Sequence, residues 1–297
     1  MSRPVATLAI LLVPMLWGLA FVAQKTAMQD IGPLTFIGVR YALGTLAILP
    51  LVLWELRRTR TRPARRDSWL IALICASFFV GVWLQQLGLT MTTVTNSGFL
   101  TSLYVLLVPI LAVLASIQRP HPILWPAAVM AVIGVFLLNG GRLDGLNVGD
   151  LLVLASTVAW AVQVLLIGIV SLRTGLPITI SALCFLTTAI AGSLGAVAVE
   201  TPELTAILGG WVEILYAGVF STAIAFTLQA VAQQYVPPAN AAIILSSEGL
   251  FAALGGALLL GERLPVVGYL GAAMILFAIV LVEAVPALAR RRGDVPA

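Results

Sequence analysis

One carboxylate stands out by its position. Glu248 lies near the middle of Pro238–Arg263, which is apolar over about the length needed to span a bilayer. An ionisable group at that depth is expensive and by default marks a functional site. Two roles fit it. In the first, the carboxyl pairs with a substrate ammonium or takes up a proton as a coupling step. In the second, it hydrogen-bonds neighbouring helices and holds a bundle together. Asn240, Ser246 and Ser247 share the stretch.

The stretch has an echo. A shift of 144 residues maps it without a gap onto Val94–Arg119, pairing Asn96 with Asn240, Ser102 with Ser246, Leu106 with Leu250 and Arg119 with Arg263. Tyr104 stands where the second copy has Glu248. Upstream, Ser77 matches Ser221 and Gln85 matches Gln229, while Trp17 matches Trp160 at a shift of 143. Polar identities inside apolar runs are hard to obtain by chance, so the chain reads as two related halves, 1–143 and 144–297.

A mean hydropathy of +1.09, with 61% hydrophobic and 9% charged residues, places the chain among integral membrane proteins. The net charge of +4 does not point to nucleic acid, because six arginines cluster in Arg57–Arg66 and read as a topology signal. Cys75 and Cys184 both fall in apolar runs, so no disulfide framework is expected. The N-terminal run extends to about Gln24, too long for a signal-peptide core, and reads as a retained first span.

Ten segments of spanning character follow: Val5–Gln24, Pro33–Glu55, Trp69–Thr90, Thr95–Ile117, Ile123–Gly140, Asp150–Val170, Pro177–Val199, Trp211–Gln233, Pro238–Leu260 and Pro265–Val285. Helices satisfy their own backbone in lipid, so the fold class is an all-α integral membrane protein. Twelve basic residues fall on one side: Arg3, the six of Arg57–Arg66, Arg119, Arg173 and Arg290–Arg292. Lys25, Arg142 and Arg263 fall on the other. The imbalance puts both termini in the cytoplasm. Five helices per half make the second half enter from the opposite face, giving two inverted five-helix repeats. Inverted repeats of this kind characterise secondary transporters with a substrate site near the midplane.

The residues also resemble a known family. LGERLPVVGYLGAAMILFAIVLV (Leu260–Val282), the LWGLAFV run containing Trp17-Gly18, and the helix from Pro238 through Ser246, Ser247 and Glu248 are similar to the EamA-type proteins of the drug/metabolite transporter superfamily. The first half departs from the pattern, with Gln118-Arg119 in place of Glu262-Arg263. The resemblance implies a gradient-linked or facilitative carrier of small metabolites, most often an amino-acid exporter of a bacterial inner membrane, with the aromatic amino-acid branch the first comparison. No cofactor, metal or nucleic acid is called for; the partners are a small-molecule substrate and the bilayer, with proton coupling left open as one mode beside uniport.

The remaining candidates each carry two readings. Trp17, Trp160 and Gln163 either wall a midplane cavity or simply pack; Trp160 and Gln163 share a helix face. Gln85 and Gln229 either contact substrate or bond across the bundle. Ser97, Thr101 and Tyr104 form one polar stripe, a candidate cavity wall, as is Ser247 beside Glu248. Asn96 and Asn240 open their helices and read as caps. Arg40 lies about two turns beyond Gly32 and is given a structural, snorkelling role, with carboxylate binding as the alternative. Pro14 and Pro109 lie within spans, where proline can kink a helix. Glu283 lies near the end of the tenth span, at the interface. A membrane enzyme is the rival from another class. His121 falls in a loop, every aspartate lies at or beyond a span end, and no HExxH is present. A channel, a scaffold or a nucleotide-sugar carrier are further rivals, the last disfavoured by the scarcity of cations at cavity depth.

The inverted topology has a direct test. Cysteines replacing Thr61 and Thr201 are expected to react with an impermeant maleimide from opposite faces of the membrane. Labelling from one face would overturn it.

Overall fold

The computed structural model describes residues 2–59, 63–117, 121–138, 140–141, 147–263 and 266–291. Gln118, Arg119 and Arg142 lie outside them, as does the Glu283 side chain. Eight helices among the described residues are long and apolar enough to cross a membrane: α1 (Arg3–Ala27), α2 (Pro33–Arg58), α3 (Arg65–Met91), α4 (Val94–Leu114), α6 (Val148–Thr174), α7 (Pro177–Val199), α8 (Trp211–Ala232) and α9 (Pro238–Leu259). Two more apolar helices, α5 (Leu124–Leu138) and α10 (Val266–Arg291), complete the bundle. Large apolar side chains such as Leu46, Leu194, Leu258 and Val266 face outward. That is the arrangement lipid requires.

The packing repeats under exchange of the halves. α2 lies against α7, α5 against α10 and α4 against α9, while the α3–α6 contact has its mate in α8–α1. At the centre the repeat mates meet. The Ser102 hydroxyl shares its proton between Gly98 O at 2.6 Å and Ser246 O at 2.9 Å.

Inversion is visible in how the helix ends are satisfied. A helix N-terminus presents unpaired N–H groups and the positive end of its dipole. Glu55, near the end of α2, accepts from Ile178 N at 3.1 Å, Thr179 N at 2.7 Å and the Thr179 hydroxyl at 2.7 Å, at the start of α7. Glu200, just past α7, accepts from Leu34 N at 2.9 Å, Thr35 N at 2.8 Å and the Thr35 hydroxyl at 2.7 Å, at the start of α2. Each helix therefore ends at its partner's beginning, and the pair is antiparallel. Glu262 does the same for α4, accepting from Val94 N at 3.1 Å, Thr95 N at 3.2 Å and the Thr95 hydroxyl.

Neither asparagine caps its helix. Thr93 is the N-cap of α4, with its side chain accepting from Asn96 N at 3.0 Å. The Asn96 amide instead reaches Asp150 at 3.5 Å. At α9 the N-cap is Pro237, and Asn240 donates to Val282 O on α10 at 3.4 Å. Each asparagine is the third residue of its helix, past the N-cap position.

Three spans are irregular. α4 breaks at Leu103, between Val94–Ser102 and Tyr104–Leu114, six residues ahead of Pro109. α9 breaks at the matching place, between Pro238–Leu245 and Glu248–Leu259. There Ser246 and Ser247 turn their hydroxyls back to Ile243 O at 2.8 Å and Ile244 O at 2.7 Å, offering the carbonyls an alternative to the helical ladder. The centre of α8, Tyr216–Phe226, is wound as a π-helix. Pro14, by contrast, leaves α1 continuous.

The halves of α4 and α9 on the α4-start side pack closely. A Cβ on Gly98 would lie 2.5 Å from the Ala252 Cβ, so only glycine allows this approach. Cys75 and Cys184 remain free thiols with sulfurs 3.6 Å apart.

Replacing Glu200 by Gln keeps its size but removes the charge that strengthens three hydrogen bonds; a loss of about 1–2 kcal/mol is expected. The unfolding temperature in detergent checks this. Adding Thr35→Val to Glu200→Gln is expected to lower it by less than the sum of the two single changes, because the two groups act on one contact.

Candidate functional site

A cavity opens among α1, α2, α3, α4, α6, α8 and α9. Residues from both repeats line it. From the sequence candidates it gathers Trp17, Gln85, Thr101, Tyr104, Trp160, Gln163, Glu248 and Arg40. Gln229 stands one step behind, exchanging amide hydrogen bonds with Gln163 at 3.3 and 3.4 Å. Ser247, Asn96 and Asn240 are not part of the lining. The walls also include Phe21, Gln24, Tyr41, Val82, Val164, Ser221 and Phe226, which sequence reasoning had not singled out for the site.

The apolar part is a stack of rings around Phe226. Its centroid lies 4.5 Å from Trp17, 4.8 Å from Phe78 and 5.8 Å from Trp160, the last nearly parallel at 13°. Tyr41 meets Phe78 edge-on at 5.5 Å. Gly81 seats Trp160, since a Cβ there would lie 3.1 Å from the indole. Phe226 was invisible beforehand because nothing in sequence separates it from a lipid-facing phenylalanine.

The two indoles differ in what they bind. Trp17 Nε1 donates to Ser221 O at 3.2 Å. Trp160 Nε1 is buried without a hydrogen-bond partner among the described residues, and so are the Tyr104 hydroxyl and Glu248 Oε1. Buried polar groups are nearly always paired, so three such groups on residues lining one cavity call for an explanation. Tyr104 and Glu248 face one another. Each begins the helical segment that follows its break, so the repeat mates meet at one place. The N-terminal position also suits a carboxylate, which is favoured by the positive end of the helix dipole.

Arg40 does not snorkel. It is 4% exposed and turns inward, where its Nε donates to the Thr222 hydroxyl at 2.9 Å and Ala217 O at 3.3 Å, and Nη2 donates to the Ser221 hydroxyl at 3.0 Å. All three acceptors lie in the π-helical part of α8, a form that recurs at functional sites. Its depth along α2 was correctly read; the face it occupies was not.

Gln85 and Thr101 are tied together, the amide donating to the hydroxyl at 2.8 Å. Among the described residues no group of three or more His, Cys, Asp or Glu is arranged to hold a metal ion. The arrangement can bind a small molecule between aromatic faces, with one cation and one carboxyl within the same walls.

An all-helical membrane bundle of two inverted five-helix repeats, with a cavity between them, defines the class of membrane transporters built from internal repeats. The EamA-like transporter family matches residues 5–140 and again 147–284, and the chain belongs to it. An uncharacterized transporter of Archaeoglobus fulgidus is 31% identical over 286 residues, covering 95% of this chain and 87% of that one. The uncharacterized transporter YwfM of Bacillus subtilis is 28% identical over 310 residues, covering 96% of each. A solved crystal structure shares the fold with a TM-score of 0.79 over 98% of both chains at 18% identity. The protein is a multi-pass membrane transporter and not an enzyme.

The unequal indoles can be separated by stability. Trp17→Phe breaks a buried hydrogen bond and is expected to lower the unfolding temperature more than Trp160→Phe, by a difference of about 1–3 kcal/mol. Equal effects would show that the Ser221 contact contributes nothing.

Proposed function

We propose that this chain is a secondary transporter that exports amino acids or related small metabolites by alternating access, with the substrate held in the central cavity between the repeats 1–143 and 144–297. The observation carrying this reading is that Trp160 Nε1, the Tyr104 hydroxyl and Glu248 Oε1, on three residues lining the cavity, are buried without a hydrogen-bond partner among the described residues. A small polar solute would complete those bonds, and the ring stack around Phe226 would take its apolar part.

In this reading Glu248 alternates between pairing with the substrate ammonium and carrying a proton, which couples export to the proton gradient. Gln163 and Gln229 supply neutral polar contacts and hold one another in place. The excess of arginine in Arg57–Arg66 supports a bacterial-type inner membrane orientation with both termini cytoplasmic. Because the lining residues of α1 and α3 fall toward the ends of those helices opposite that loop, the state described would face outward.

Reconstituted into liposomes, the protein is expected to exchange neutral amino acids by counterflow. No flux across a broad amino-acid panel would sink the substrate assignment. Glu248→Gln is expected to reduce flux at least about 10-fold, as for loss of a charge-assisted contact, while Glu203→Gln in the loop after α7 leaves it unchanged. Wild-type flux in Glu248→Gln would remove that carboxyl from the mechanism. An imposed pH gradient should drive accumulation in the wild type and not in Glu248→Gln.

A further inference from the structure

We propose that Arg40 is the receptor for an anionic group of the substrate, so that the cavity selects zwitterions, carboxylate toward Arg40 and ammonium toward Glu248. This rests on the reading of the cavity as the substrate site, and names what that site recognises.

Arg40 carries a charge that no counter-ion among the described residues balances; beyond its hydrogen bonds it meets the face of Tyr41, with Cζ 5.0 Å from the ring centroid. A guanidinium has five N–H groups. Those on Arg40 that point toward α8 are used by Thr222, Ala217 and Ser221; both on Nη1 and the second on Nη2 have no hydrogen-bond partner among the described residues. No carboxylate of the described residues lies within ion-pair distance of it. Its acceptors are two hydroxyls and a carbonyl, all neutral. Removing a charge from water costs several kcal/mol unless a counter-charge restores it. The three bonds fix the plane of the fork and leave its other edge to the cavity. A guanidinium so held is suited to a planar, two-oxygen anion.

The second charge is placed to match. Arg40 and Glu248 line the same cavity but stand on separate walls, α2 packed on α7 and α8, α9 packed on α1 and α4. Neither neutralises the other directly. The rings of Trp17, Tyr41, Trp160 and Phe226 line the same cavity. One cation, one carboxyl and an aromatic surface complement a molecule with a carboxylate, an ammonium and an apolar side chain.

Both charges also stand where the repeats differ. At the 144-residue shift Arg40 corresponds to Cys184, and Glu248 to Tyr104. A frame that repeats itself elsewhere has a cation in one half only and a carboxyl in the other half only. The site is thereby polar along one direction, and an asymmetric ligand fits it in one orientation.

The test compares leucine with isoamylamine, which lacks the carboxylate, and with isocaproate, which lacks the ammonium. Each competes for counterflow in proteoliposomes, and each is also titrated by thermal shift in detergent. In the wild type leucine is expected to compete at least about 10-fold better than either analogue, the scale of one charge-assisted hydrogen-bond set. Arg40→Gln is expected to abolish the preference for leucine over isoamylamine while leaving the affinity for isoamylamine unchanged. Arg40→Lys, which keeps the charge and loses the fork, should retain part of that preference; it serves also if the Gln variant does not fold. A purely structural Arg40 would weaken leucine and isoamylamine alike and preserve their ratio, which overturns the proposal. A wild type that responds to none of the three while exchanging other solutes overturns the amino-acid reading instead.

Discussion

The exchange of carboxylates between helix ends is the constraint on which the rest of the bundle depends. Glu55 and Glu200 each close the N-terminus of the other's helix, so α2 and α7 are fixed in register at both ends. Such a contact does double work in a membrane. It satisfies N–H groups that lipid cannot, and it places a negative charge against the positive end of a helix dipole. With α2 pinned, Arg40 and Tyr41 are carried at a fixed height and face the cavity. Glu262 gives α4 the same support, which sets the height of Thr101 and Tyr104.

Within that rigid frame, regular helix is abandoned where the cavity needs it. The breaks in α4 and α9 fall at repeat mates and touch through Ser102 and Ser246. Tyr104 and Glu248 follow immediately after. The π-helical part of α8 is the third departure, and it brings Ala217, Ser221 and Thr222 to one guanidinium. Clamped ends and irregular middles are complementary, because unsatisfied or strained backbone at mid-membrane persists only when its surroundings hold it.

Much of this was legible in the residues. Hydropathy marks the spans, and the shift that pairs Ser102 with Ser246 also pairs Tyr104 with Glu248. The two tryptophans were found the same way. What escaped did so for physical reasons. Phe226, Tyr41 and Val82 have the chemistry of any apolar residue, and only packing decides whether they face lipid or solute. Arg40 was placed by depth along its helix, which does not say which face it occupies. Asn96 and Asn240 had the chemistry of caps, but the start of α4 is closed by Thr93 and by Glu262, the latter 168 positions from Val94 in sequence. The π-helix has no signature in composition.

The crossed capping also governs how the protein can be assembled. The N-terminus of α2 emerges from the ribosome long before Glu200 has been made, and that of α4 waits for Glu262, near the end of the chain. Until then the first half enters the bilayer without those carboxylates, the start of α4 holding only its local Thr93 cap. Neither half holds the residues that finish it. The final arrangement is reached only once Glu262, and α10 that packs on α5, have left the ribosome.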